Sequence, residues 1–340
     1  MSASRAALDP IASVLFQDEI HFGDLFNASR EYKALLTEIA GFMPEEMERN
    51  DLFTDAGKAV GTKWAANCIE DIMRTRHFAY GTYLAVQHLL KQKQRVHLLY
   101  AGTGPFAALV LPLITKFSSD EVQFTFLEIN EASYNGLSKV VAHFEMEPYI
   151  THMECGDATK YTVDHPETID ILLTETMMHG LKGEHQVAIS YHLMSQLSDD
   201  ALLIPEEIQL NLLGVNEDKR DVYKRQVDSN VAYYEDFGSL FVLNKEEIRR
   251  HQAHFLEHAP RVIFPEQEVA LAEDTSLRFD TLYVETAIRV WGEIRLGKDE
   301  SGLTTLLKLK QLDPMMQAPS RATSKYICGA NPGLQFRFHD

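Results

Sequence analysis

The stretch Arg95 to Phe106, RVHLLYAGTGPF, constrains this chain more than any other. Val96, Leu98 and Leu99 read as a buried strand that runs into a tight turn at Gly102 and Gly104. The apolar run Ala107 to Phe117 reads as the helix that follows. Strand, glycine turn and helix let a backbone come close to a nucleotide, because glycine admits positive φ and carries no side chain. The motif falls short of a full GxGxxG, so its weight depends on what comes next.

Val122 to Ile129, VQFTFLEI, is a second strand, and it ends on Glu128. A carboxylate about twenty residues past such a turn is where nucleotide-binding α/β folds hold a ribose. Met153 to Ala158 ends near Asp157, and Ile169 to Glu175 ends on Glu175. Ligands of open α/β sheets bind at the carboxyl ends of strands, so these groups should converge.

Residues 1–94 read as helical, over Phe22 to Met43, Pro44 to Ala56, and a long periodic stretch Gly61 to Leu90 broken near Gly81. Residues 95–205 alternate strands near 96–101, 123–129, 150–154, 169–174 and 201–204 with helices near 106–117, 131–145 and 184–197. That alternation predicts a parallel, doubly wound, Rossmann-like α/β core. Residues 206–340 read as a mainly antiparallel β domain. Its expected strands are Ile208 to Val215, Arg261 to Phe264, Val269 to Leu271, Leu277 to Phe279, Leu282 to Leu296, Gly302 to Leu309 and Gly333 to Phe338. Lys245 to His258 reads as a helix, and the charge-dense Asp218 to Ser229 as an exposed loop.

The net charge of −18, from 50 acids against 32 bases, disfavours a phosphate backbone and so excludes nucleic acid as the expected partner. Cys68, Cys155 and Cys328 are odd in number and far apart, which suggests neither a disulfide framework nor a zinc site. The expected setting is the cytoplasm, with no signal peptide and no membrane span.

Thr174 to Glu184, TETMMHGLKGE, places Glu175 and Glu184 nine residues apart across a glycine-bearing loop. A loop that folds back aims both acids at one point, where they hold a cation or raise one carboxyl into the general-base range. Glu184 also suits a helix N-terminus on electrostatic grounds alone. His179 sits on the loop as a candidate acid–base group. His185 and His192 lie nearby, but the three histidines lack metal spacing and no metal is expected. Met177 and Met178 suit a pocket wall.

With these residues assembled, the chain resembles class I S-adenosylmethionine-dependent methyltransferases, and among them the protein arginine methyltransferases, from Asp71 to about Val215. The resemblance implies that Arg74, in Asp71-xx-Arg74-Thr75, grips the cofactor carboxylate. It places Ala101-Gly102-Thr103-Gly104 at the cofactor glycine motif, Glu128 on the ribose and Asp157 beside the adenine. Glu175 and Glu184 match the paired-glutamate loop, with Glu175 also against the cofactor, and Leu203-Ile204-Pro205 matches the entrance to the β domain. Tyr100 stands where an acid is usual and Pro105 follows the second glycine. No clear threonine-histidine-tryptophan motif or aromatic-rich lid is visible. The stretches LLYAGTGPFAALVLPL, ETMMHGLKGEHQVAI and SGLTTL are also similar to bacterial azetidine-2-carboxylate synthases.

The leading expectation is methyl transfer from S-adenosylmethionine to an amine nitrogen of a small molecule or amino acid. Glu175, Glu184 and His179 then act as catalytic groups, with the N-terminal helices as lid. The alternative is cyclisation of the cofactor itself, with no acceptor, to azetidine-2-carboxylate and methylthioadenosine. A catalytically silent binding module is the third reading. A homodimer is compatible with each.

Overall fold

The computed structural model describes residues 3–42, 50–225, 232–316 and 318–339. Helices α1 (Ala3–Leu15) and α2 (Phe22–Ala40) come first. Leu25, Ala28, Tyr32, Leu36 and Ala40 recur at helical spacing and bury one face of α2. Gly41, in the left-handed conformation, ends it. The helix expected over Pro44 to Ala56 is replaced, where the chain is described, by a hairpin of β1 (Leu52–Thr54) and β2 (Gly57–Ala59). Its turn holds Gly57 at φ +140°, a conformation other residues rarely adopt. Residues 43–49 of that expectation lie outside the described residues.

Next come α3 (Thr62–Asn67) and α4 (Ile72–Leu90), joined through a 3-10 turn over Cys68–Glu70. The long periodic stretch breaks at Asp71, whose side chain caps α4 by accepting from the Arg74 N–H at 3.2 Å. It does not break near Gly81. A Cβ on Gly81 would lie 2.7 Å from Val290 Cγ1, so this glycine lets α4 pack closely instead of ending it.

The central sheet contains β3 (Val96–Ala101), β4 (Val122–Glu128), β5 (Ile150–Cys155), β6 (Ile171–Thr174) and β7 (Leu202–Ile204). The strands are parallel and run β5-β4-β3-β6-β7 across the sheet. Helices α5 (Glu131–His143) and α6 (Gln186–Met194) belong to the crossovers. Buried Leu98, Leu99, Phe124, Phe126 and Leu172 fill the layers on both faces. Each contributes roughly 1.5–3 kcal/mol by leaving water. Ala107 to Phe117 is not an α-helix: it makes turns and a 3-10 helix over Leu111–Thr115. Pro112 has no N–H to give the preceding turn, which removes an α-helical bond from the middle of the run.

The strand order reverses between β3 and β6. Ala101 pairs with Leu127 on one side and with Thr174 on the other. The residues that follow these three partners, Gly102, Glu128 and Glu175, therefore emerge side by side at the carboxyl edge. Such a reversal leaves a crevice there.

After the sheet come β8 (Glu207–Val215), α7 (Glu217–Arg225), β9 (Tyr234–Asn244), α8 (Lys245–His258) and β10 (Gln267–Ala270). They are followed by α9 (Thr275–Arg278), β11 (Thr281–Trp291), β12 (Ile294–Leu296), β13 (Leu307–Gln311), β14 (Arg321–Ile327) and β15 (Gly333–His339). One antiparallel sheet runs β12-β11-β8-β9 with β13 also on β11, and a second runs β10-β14-β15. They pack through Phe241 stacked on Tyr326, ring centroids 4.4 Å apart.

Several local expectations fail here. The charged stretch from Asp218 is helical to Arg225, with Arg220 buried in an ion pair to Asp299 at 2.8 Å, while residues 226–231 lie outside the described residues. Leu277 and Arg278 belong to α9 and not to a strand. Arg261 to Phe264 makes one isolated bridge, Ile263 to Ile327. Leu282 to Leu296 is two strands around Gly292. Gly302 to Leu309 opens as a 3-10 turn, Gly302–Thr304. The strands β9 and β14 went unread in the sequence.

Candidate active site

A cavity of about 440 Å³ opens at the carboxyl edge of β3, β4 and β6. Arg74, Gly102, Thr103, Gly104, Glu128, Asp157, Glu175, His179 and Glu184 all line it. Ala101 does not: it is fully buried at the end of β3 and supports the turn from below.

Gly102 and Gly104 hold φ of +78° and +60°. A Cβ on Gly102 would lie 2.2 Å from Thr176 Cγ2, so the residue is glycine because the loop after β6 presses on it. Glu128 is 6 % exposed. Its two oxygens accept from the Gly104 N–H at 2.7 Å and the Asn130 N–H at 2.8 Å. Burial raises its carboxyl above the usual range, and the amides of Asn130 and Gly104 oppose the rise. The two amides fix the Glu128 side chain at the edge of the cavity. Asp157 is engaged by its own loop, accepting from the Thr159 N–H at 2.9 Å and pairing with Lys160 at 3.3 Å. Burial would raise its carboxyl, but these partners outweigh it and hold the group below the usual range.

Glu175 forms an ion pair with Arg74. The Glu175 side chain is 1 % exposed, and its Oε1 is buried without a hydrogen-bond partner. An unsatisfied buried carboxylate oxygen is costly and calls for a donor. Glu184 faces the same cavity. Burial pushes its carboxyl up to about 7, against the pull of Arg74 and Lys58 and helped by Asp51. Tyr100 stands behind them, its hydroxyl pushed above the usual range by burial.

Two further elements cover this centre. The β1–β2 hairpin is stitched to the acid loop by the Lys58 N–H, which donates to Gly183 O at 2.9 Å, and by Thr54 Oγ1 against His185 Nε2 at 2.7 Å. Burial lowers the His185 imidazole below its usual range, keeping it neutral. The second element is the turn Ser301–Gly302–Leu303. Asp71 Oδ2 accepts from Ser301 Oγ at 2.7 Å and from the Gly302 N–H at 2.8 Å. One aspartate therefore caps the helix that carries Arg74 and holds a turn from the C-terminal sheets against it.

Sequence reasoning missed the hairpin and this turn. The glycine turn at Asp55-Ala56-Gly57 and the Ser301-xx-Thr304 capping box were the available signals. Met177 and Met178 both stand in the cavity wall. Among the described residues, no three His, Cys, Asp or Glu are arranged to hold a metal ion.

No family model matches the chain, and no curated protein matches it. Among solved structures it is similar to the Trypanosoma brucei PRMT1 enzyme–prozyme heterotetrameric complex with AdoHcy. The two share 13 % identity and superpose with a TM-score of 0.52, covering 80 % of this chain and 91 % of that one. The fold is that of a protein arginine methyltransferase.

Proposed function

We propose that this protein is an S-adenosylmethionine-dependent methyltransferase that acts on an amine nitrogen of a small molecule or amino acid. The observation that carries the reading is the gathering of Arg74, Glu128, Glu175 and Glu184 around one cavity beside the Gly102–Gly104 turn. The residues present fit the cofactor, with a guanidinium for a carboxylate and a buried acid for a ribose diol, and the unpartnered Glu175 Oε1 is left for an N–H of the acceptor. The solved T. brucei complex holds AdoHcy, which supports the same cofactor class. In this reading residues 1–94 form a cap, 95–205 the cofactor-binding domain and 206–340 a β domain.

When bound, S-adenosylmethionine would supply a methyl group activated by its sulfonium. Arg74 would hold the carboxylate end, Glu128 the ribose and Asp157 the adenine side. Glu175 Oε1 would accept an N–H of the acceptor and orient its lone pair. Glu184 would take the proton that an ammonium must lose before its nitrogen can attack. A base near 7 is well matched to that task at neutral pH. His179 is a second proton acceptor on the same loop. The hairpin and the Ser301–Leu303 turn would exclude water and hold the reactants in line, a contribution of several kcal/mol to the barrier.

Charge favours an amine over a guanidinium. A guanidinium stays charged and asks for two ionised acids. Here Glu175 already carries Arg74, and Glu184 is about half neutral at pH 7.

The test is incubation with S-adenosylmethionine, with and without a panel of small amines. S-adenosylhomocysteine released in step with acceptor supports methyl transfer. Methylthioadenosine released without acceptor replaces it by cyclisation of the cofactor. No turnover and no heat of binding leaves the silent scaffold. A Glu175→Gln, Glu184→Gln double variant should bind S-adenosylhomocysteine but not turn over. A homodimer belongs to the same reading and is tested by sedimentation.

A further inference from the structure

The loop between the two acids is suspended from the C-terminal sheets. The Gly180 N–H donates to Thr286 Oγ1 at 2.7 Å. Tyr326 Oη donates to Leu181 O at 2.7 Å. The Gly183 N–H donates to Pro332 O at 2.8 Å. Thr286 and Tyr326 are each 1 % exposed. The backbone they hold is unusual: Gly180, Leu181 and Gly183 have φ of +70°, +50° and +84°. Leucine pays steric strain in that region, and such a conformation persists only where its surroundings over-determine it. Tyr326 is itself fixed by stacking on Phe241, and burial keeps its hydroxyl protonated as a donor.

We propose that Tyr326 is a positioning residue: through Leu181 O its hydroxyl locks the left-handed turn that sets where Glu184 stands relative to Glu175 and Arg74. It touches no reacting atom. Thr286 does the same through Gly180. The C-terminal sheets thereby act on the chemistry of the cavity and are more than an appended layer. The inference rests on the methyltransferase reading for its kinetic consequence but not for its structural one.

Glu184 reports the lock. It faces Arg74 from α4 and Lys58 and Asp51 from the hairpin segment, and its raised carboxyl depends on staying buried among them. In Tyr326→Phe the ring and its stacking remain and only the hydroxyl is lost. The Glu184 carboxyl, followed by carbon-13 NMR in the full chain, should then titrate at least about one unit lower than in the wild type, as the loop opens to water. Thr286→Val should move it the same way, and Thr286→Ser, which keeps the Oγ, should restore it. Tyr191→Phe is the control, because Tyr191 Oη donates to Glu247 O at 3.2 Å, away from the acid loop. An unmoved Glu184 midpoint in Tyr326→Phe overturns the proposal, as does an equal shift in Tyr191→Phe. In the enzymatic arm, Tyr326→Phe should raise the acceptor KM about tenfold and leave S-adenosylhomocysteine affinity within about twofold. If the wild type binds no S-adenosylhomocysteine, the function reading falls, while the NMR titration still decides the role of Tyr326.

Discussion

Replacing Glu184 by glutamine should stabilise the protein and disable it at once, and the stabilising half can be worked from the structure. Burial raises the Glu184 carboxyl from 4.5 to about 7. The folded state then binds the proton more tightly than the unfolded one, so stability falls as pH rises from 4.5 through 7. At about 1.4 kcal/mol per unit, the raised carboxyl costs about 3 kcal/mol of stability at pH 8, where it is ionised in both states, and about 1 kcal/mol at pH 5, where only the unfolded chain ionises it. For 340 residues the unfolding entropy is about 0.7 kcal/mol/K. Glu184→Gln should therefore melt about 5 °C above the wild type at pH 8 and about 1 °C above it at pH 5. Calorimetry across this range measures the difference. A constant gap between the two proteins would refute the reasoning, because a neutral isostere can shift the whole curve but cannot reproduce its slope. The same variant should lose about a hundredfold or more in kcat if Glu184 is the base.

Three other outcomes follow from the same geometry. The kcat/KM of the wild type should rise with unit slope as pH increases towards about 7 and then level, and a profile flat from pH 5 to 8 would remove Glu184 from the proton transfer. Arg74→Met should destabilise by roughly 3–5 kcal/mol, since it strands Glu175 without its counter-charge, and should push the Glu184 midpoint higher because the pull of Arg74 is gone. Gly102→Ala should cost roughly 1–3 kcal/mol from its φ of +78° and the 2.2 Å approach to Thr176 Cγ2. Adding Thr176→Ser removes that methyl and should recover only the steric part of the loss, as read from urea midpoints.

The parallel sheet was legible because its strands are buried on both faces and end on glycine or acid, so pattern and chemistry agree at Gly102, Glu128 and Glu175. Ala107 to Phe117 misled because its apolar content suits a helix while Pro112 forbids a regular one. Gly81 misled in the opposite sense: its reason lies on Val290, about two hundred residues away, and nothing local announces it. The β1–β2 hairpin is too short to show a period of two. The spacing of the paired acids was visible. Its suspension from Thr286, Tyr326 and Pro332 was not, since a hydroxyl or a carbonyl meeting a loop across the fold leaves no mark in composition or spacing.

That suspension has a consequence for synthesis on the ribosome. Leu181 precedes its anchor Tyr326 by 145 positions, and Gly180 precedes Thr286 by 106. The glycine turn and Glu128 can settle as soon as the parallel strands emerge, but the acids wait. At ordinary elongation rates the wait is on the order of ten seconds. Until the β14–β15 hairpin leaves the exit tunnel, the nascent chain carries Glu128 in place and Glu175 and Glu184 still unset.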